Sequence, residues 1–92
     1  MCIFCKIVAG EIPNNTVLEN DKFLCFEDIN PSCKTHVLII PKTHYDSFDV
    51  TPPILMGEMT EFIQDVAKKL NVKKEGYRII TNIGKHGGQE VP

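Results

Sequence analysis

The sequence predicts an α+β fold: an antiparallel sheet of about four to five strands with one long helix. Three observations carry this. Runs rich in β-branched and aromatic residues recur at Thr16–Glu19, Lys22–Glu27, His36–Ile40 and Tyr77–Asn82, each bounded by Asn, Asp, Gly or Pro. Asn20-Asp21 between the first two runs reads as a hairpin turn. Between the last two runs, Leu55, Met59, Phe62, Ile63, Val66 and Leu70 fall on one stripe of a 3.6-residue period, the mark of an amphipathic helix.

In chain order, Phe4 to Val8 forms a short helical turn closed by Gly10, and Ile12-Pro13-Asn14-Asn15 is a turn. In the run from Lys22, Leu24, Phe26 and Asp28 share one face and Phe23, Cys25 and Glu27 the other, so the strand is expected to be covered on both sides. Asn30-Pro31-Ser32 then breaks the chain. The continuous Val37-Leu38-Ile39-Ile40 run predicts a central strand buried on both faces and stopped by Pro41. Lys42 to Val50 is loop or short helix. Thr51 is the expected N-cap of the long helix, with proline in its first turn and an end near Asn71. Its apolar stripe is read as core. Tyr77–Asn82 is the fourth strand, and Gly84-Lys85-His86-Gly87-Gly88 follows it as a glycine-rich loop.

The 92 residues are read as a single domain, with no repeat, low-complexity tract or linker to divide them. A chain this short buries roughly 60–65% of its unfolded surface, which gives it reason to associate. Hydrophobic residues make up 42% and charged residues 24%, which excludes a disordered or collagen-like chain. No apolar run approaches a membrane span, and no secretory signal opens the chain, so a cytoplasmic protein is expected. The formal net charge of -2 and the absence of a basic stripe argue against a nucleic-acid polymer as partner. A mononucleotide is compatible, because backbone N–H groups can hold a phosphate without net positive charge.

Cys2, Cys5, Cys25 and Cys33 occur without secretory context, so metal ligation or free thiols are read in preference to disulfides. Cys2-Ile3-Phe4-Cys5 has the C-x-x-C spacing that brings two thiolates to one tetrahedral ion. A redox pair, which would sit after a strand and open a helix, fits the chain start less well. His44, after a Pro-Lys-Thr turn, either faces solvent or joins those cysteines as a third ligand. His36 opens a strand and reads as a hydrogen-bonded structural histidine, and His86 as a solvated loop residue. Asp28, at a strand end, can accept the two hydroxyls of a ribose or form a turn. The glycines at 84, 87 and 88 let backbone N–H groups converge on an anion, with Asn82 and Gln89 as side-chain donors. A plain hairpin loop is the other reading, since neither G-x-G-x-x-G nor a P-loop is present.

Taken in succession, these stretches resemble the histidine-triad (HIT) family, in its Hint-like nucleotide-binding branch. The matching segments are Cys2-Ile3-Phe4-Cys5-Lys6-Ile7, Glu11-Ile12-Pro13, Leu24 to Pro31, Thr35 to His44, Gly76 to Asn82, and Gly87-Gly88-Gln89-Glu90-Val91. The resemblance runs through nearly the whole chain in unbroken order. It implies binding of a purine mononucleotide or nucleotide conjugate, and hydrolysis or nucleotidyl transfer at the α-phosphate of a phosphoramidate or dinucleotide. Phe4, Ile7, Phe26 and Ile29 would surround the base, Asp28 would hold the ribose hydroxyls, and Asn82, Gly88 and Gln89 would meet the phosphate. Members with the leading C-x-x-C can bind zinc, with His44 in the position of a further ligand. Relatives form two-fold dimers, so a homodimer is expected.

One departure is large. The family's His-x-His-x-His motif follows the Gly-Gly-Gln-x-Val-x segment directly, and this sequence ends at Pro92, where that motif is expected to begin. In relatives the middle histidine attacks phosphorus to give a nucleotidyl-histidine intermediate, and neighbouring groups stabilise the leaving group. None of His36, His44 and His86 takes that role by spacing. Residues 1–92 are therefore expected to be a C-terminally incomplete HIT-like domain, without the catalytic strand that would pair with Tyr77–Asn82 and without turnover of its own. Glu90 stands where many relatives carry Ser or Thr, a placement that repels a phosphate. The alternative is a non-catalytic nucleotide-binding domain, or a zinc-binding structural or regulatory one.

Overall fold

The computed structural model describes residues 2–31 and 34–89. Its elements in chain order are α1 (Ile3–Val8), β1 (Thr16–Glu19), β2 (Phe23–Glu27), β3 (Val37–Pro41), a 3-10 turn at Phe48–Val50, and α2 (Pro53–Leu70). They fall into two compact units, Met1–His44 with α1 and the sheet, and Tyr45–Pro92 with the 3-10 turn and α2. The fold is α+β, with an antiparallel sheet and one long helix, as the sequence predicts.

In the first unit the strands lie in the order β1-β2-β3, antiparallel throughout. Asn20 makes the first reversal possible. Its Oδ1 accepts the N–H groups of Lys22 at 2.9 Å and Phe23 at 2.8 Å, while its own N–H donates to the Phe23 carbonyl at 3.0 Å. The side chain thus satisfies backbone donors that the turn would otherwise strand. β2 is the middle strand, and Phe23, Leu24, Cys25 and Phe26 are all buried, in accord with two apolar faces. Ile7 of α1 packs with Leu24, Phe26 and Ile40, and Phe4, Val8, Ile12 and Leu38 close around that cluster. Phe4 and Phe26 meet with ring centroids 6.3 Å apart and planes tilted by 58°, a favourable aromatic arrangement.

In the second unit, α2 buries Phe62, Val66 and Ala67, with Leu55, Met59, Ile63 and Leu70 half-buried along the same stripe. It ends at Asn71, whose φ of 57° is the left-handed conformation that terminates a helix and that asparagine tolerates. The Asn71 N–H returns to the carbonyls of Ala67 and Lys68.

Three expectations need correction. β3 is not the central strand: among the described residues it pairs with β2 alone, and Val37, Leu38 and Ile39 are half-buried. A continuous apolar run reports two apolar faces but does not say which strand lies in the middle. Thr51 is not the N-cap of α2. Its hydroxyl donates to the Ser47 carbonyl at 2.8 Å and its N–H to the Phe48 carbonyl at 3.1 Å, so it closes the 3-10 turn, and the helix begins after Pro52 without a side-chain cap. Tyr77–Asn82 forms no strand, so the sheet has three strands among the described residues rather than four to five. Tyr77, Ile79 and Ile80 are exposed by 50%, 65% and 62%. A β-rich pattern supplies side-chain faces, whereas a strand exists only through a ladder to a neighbour. Cys33 and Glu90 lie outside the described residues. Among those described, no helix is long and apolar enough to cross a membrane.

Phe23, 1% exposed, is the largest fully buried side chain of β2. Phe23→Ala is expected to cost about 3–5 kcal/mol, the range for an aromatic core truncation. Urea unfolding followed by far-UV circular dichroism measures this, and a loss under ~1 kcal/mol would contradict the packing described.

Candidate functional site

The C-x-x-C segment straddles the start of α1. Cys2 is the N-cap residue, its sulfur accepting the Cys5 N–H at 3.2 Å, and one helical turn carries the Cys5 sulfur to 2.9 Å from it. Both are free thiols. β3 ends at Pro41, and three residues later His44 presents its Nδ1 at 3.3 Å from Cys2 Sγ and 3.2 Å from Cys5 Sγ. The three ligand atoms lie within 4.8 Å of one another, close enough to bind one metal ion. Two sulfurs and an imidazole nitrogen are a donor set suited to a borderline or soft cation.

The local electrostatics favour such an ion. Burial raises the Cys2 thiol, but hydrogen bonds from the Cys5 side chain, the Cys5 N–H and His44 outweigh it, and its pKa falls from 9.0 to about 7. Cys5 is pushed up, first by its hydrogen bond with Cys2, then by burial and the Cys2 charge. A metal bound there would take both sulfurs as thiolates and displace their protons.

At the other end of the β2–β3 ladder stands Asp28. Its backbone N–H donates to the His36 carbonyl at 3.1 Å, extending the ladder one step past the Glu27–Val37 pair. Its Oδ1 accepts the Asn30 N–H at 2.9 Å, and its Oδ2 lies 3.3 Å from His36 Nε2. Reading Asp28 and His36 separately missed this pairing. The signal was present: an antiparallel register that sets Phe26 opposite Leu38 sets Asp28 opposite His36.

The residues expected around a base are placed unevenly. Ile7 and Phe26 are buried in the core cluster, Phe4 packs half-buried against it, and Ile29 next to Asp28 is 90% exposed. In the second unit the glycine loop is held by its own side chains. Gln89 Oε1 accepts the Gly84 N–H at 2.7 Å, Gln89 Nε2 donates to the Asp46 carbonyl at 2.5 Å, and Asn82 Nδ2 donates to the Gly88 carbonyl at 3.4 Å. Gly88 has a φ of +76°, and a Cβ on Gly87 would run into the Ile83 carbonyl oxygen. The glycines are thus required for the loop's own closure, the Asn82 amide donates within it, and the Gln89 amide joins it to the Asp46 carbonyl. His86 is exposed, as expected.

A family model described as the HIT domain matches residues 9–92. An uncharacterized HIT-like protein of Helicobacter pylori strain 26695 is 50% identical over 91 residues, covering 99% of this chain and 88% of that protein. The purine nucleoside phosphoramidase of Escherichia coli K12 is 38% identical over 92 residues, covering 97% of this chain and 77% of the enzyme. The crystal structure of the histidine triad nucleotide-binding protein from Candida albicans superposes with a TM-score of 0.92 at 34% identity, over 99% of this chain and 68% of that one. With the domain model spanning most of the sequence and relatives matching nearly all of it, the chain belongs to the HIT family.

Proposed function

We propose that this protein binds a purine nucleoside monophosphate unit through the end of the β2–β3 hairpin, and that the intact protein hydrolyses or transfers that unit at the α-phosphate. The Asp28 carboxylate carries the reading: it is partly exposed, braced on both oxygens, and stands where the family resemblance assigns the ribose hydroxyls. The similarity to a purine nucleoside phosphoramidase and to a nucleotide-binding protein supports the substrate class. In this reading Phe4, Ile7, Phe26 and Ile29 serve the base, and Asn82, Gly88 and Gln89 serve the phosphate after exchanging their present contacts for it. No residue of 1–92 is assigned as the nucleophile. Residues 1–92 act as one domain, in the cytoplasm, and associate as a homodimer.

Zinc is the second part of the proposal, favoured by the Cys2, Cys5 and His44 cluster. Three protein ligands leave one position of a tetrahedral ion for water or another group. The role assigned to zinc is structural, since it ties the start of α1 to the segment leaving β3.

Two outcomes follow. Asp28→Ala is expected to weaken adenosine or guanosine monophosphate binding by about 1–3 kcal/mol, the cost of stranding hydroxyls that had a charged acceptor. Isothermal calorimetry measures this, and an affinity indifferent to the substitution rules out the ribose role. The double variant Cys2→Ser, Cys5→Ser keeps an N-capping side chain on α1 and is expected to lose bound zinc. Stoichiometric zinc in that variant, by mass spectrometry under native conditions, would exclude these ligands.

A further inference from the structure

Asp28 and His36 face each other at the closed end of the hairpin, where β2 runs into the connection that leads to β3. The carboxylate leaves β2, the imidazole enters β3, and the Asp28 N–H to His36 carbonyl bond at 3.1 Å locks their backbones together. The two side chains are 21% and 30% exposed, so the pair can be reached by a ligand yet stands partly out of water.

The carboxylate is held from both sides, by the Asn30 N–H on Oδ1 at 2.9 Å and by His36 Nε2 at 3.3 Å on Oδ2. An ionised carboxylate offers about four lone-pair positions, two on each oxygen. Among the described residues, each oxygen has one protein donor, which limits rotation of the group and leaves one acceptor position per oxygen. That remainder matches a vicinal diol, whose two hydroxyls each donate once. Without the imidazole, Oδ2 loses its brace, and among the described residues the Asn30 contact is what remains to orient the carboxylate.

We propose that His36 is a positioning residue that sets the preference for ribose over 2′-deoxyribose, by holding Asp28 Oδ2 in the orientation a diol requires. This rests on the reading of Asp28 as the ribose carboxylate. Its chemistry asks only that Nε2 carry a proton, which both the imidazolium and one neutral tautomer provide.

The test is calorimetry on the 92-residue chain with adenosine monophosphate and 2′-deoxyadenosine monophosphate, in the wild type, Asp28→Ala, His36→Ala, His36→Gln and the double variant Asp28→Ala, His36→Ala. The wild type is expected to prefer the ribonucleotide. His36→Ala is expected to reduce that preference by roughly tenfold while changing deoxynucleotide affinity far less. His36→Gln, whose amide can take the place of Nε2–H, is expected to restore most of it. The double variant is expected to match Asp28→Ala alone, since His36 acts through Asp28. Nitrogen-15 spectra of the wild-type imidazole give a readout independent of the variants' folding: Nε2 is expected to be protonated and to shift on adding the ribonucleotide more than on adding the deoxynucleotide. An unchanged preference in His36→Ala, with Asp28→Ala still abolishing it, overturns the inference and leaves the ribose assignment standing. An equal loss for both nucleotides also overturns it, because that is the mark of a merely structural residue. A wild type without ribose preference, or one insensitive to Asp28→Ala, overturns the ribose assignment and the inference with it.

Discussion

The register between β2 and β3 is the constraint on which the chemistry of the first unit depends. Five consecutive pairs, from Phe23 opposite Pro41 to Glu27 opposite Val37, fix it, and the ladder continues past both ends. At one end the Asp28 N–H reaches the His36 carbonyl, and at the other the Lys42 N–H reaches the Lys22 carbonyl at 2.7 Å. The first extension brings a carboxylate and an imidazole together. The second sends the chain out at a fixed point, from which His44 meets the two cysteines at α1. A slip of one residue would turn every β2 side chain to the opposite face. Phe23 and Cys25 would exchange places with Leu24 and Phe26, and the Ile7, Leu24, Phe26 and Ile40 cluster would be lost.

The two candidate sites differ in what they ask of this frame. The proposed Asp28 site would need orientation, and the hairpin supplies a brace to each carboxylate oxygen, from the Asn30 N–H and from His36 Nε2. The cysteine–histidine site needs proximity between residues far apart in sequence, Cys2 and Cys5 against His44. A metal bound there would close a long loop and so raise stability by removing unfolded conformations. The hydrogen bonds that lower the Cys2 thiol to about 7 favour its thiolate, the form in which a cysteine ligates metal.

Much of this was legible in the sequence, for local reasons. The C-x-x-C spacing is a one-turn helical spacing, so Cys2 and Cys5 had to approach each other once α1 formed. The stripe from Leu55 to Leu70 and the Asn20 turn are likewise short-range patterns. What escaped depended on partners distant in sequence. Val37 to Ile40 looked like a central strand because both its faces are apolar, but only pairing decides position in a sheet. Tyr77–Asn82 carried a strand's composition and found no ladder among the described residues. Asn82 and Gln89 have the amides of phosphate donors, but Asn82 donates within the loop to the Gly88 carbonyl and Gln89 donates to the Asp46 carbonyl while its Oε1 accepts the Gly84 N–H. Thr51 has the side chain of an N-cap, but a 3-10 turn immediately before the helix claims its hydroxyl.

The account stands or falls on that register, and nuclear Overhauser contacts between α-protons test it most directly. Non-hydrogen-bonded antiparallel pairs bring their α-carbons to about 4.5 Å and their α-protons into close contact. The structure makes Cys25–Ile39 and Glu27–Val37 such pairs, because the Asp28 and Lys42 N–H bonds place the hydrogen-bonded pairs at the alternate positions. Strong α-proton contacts between Cys25 and Ile39 and between Glu27 and Val37 are the predicted result. A set displaced by one residue, joining Cys25 to Leu38 or Glu27 to His36, would contradict the account, since it would separate Asp28 from His36 and re-aim His44 at once.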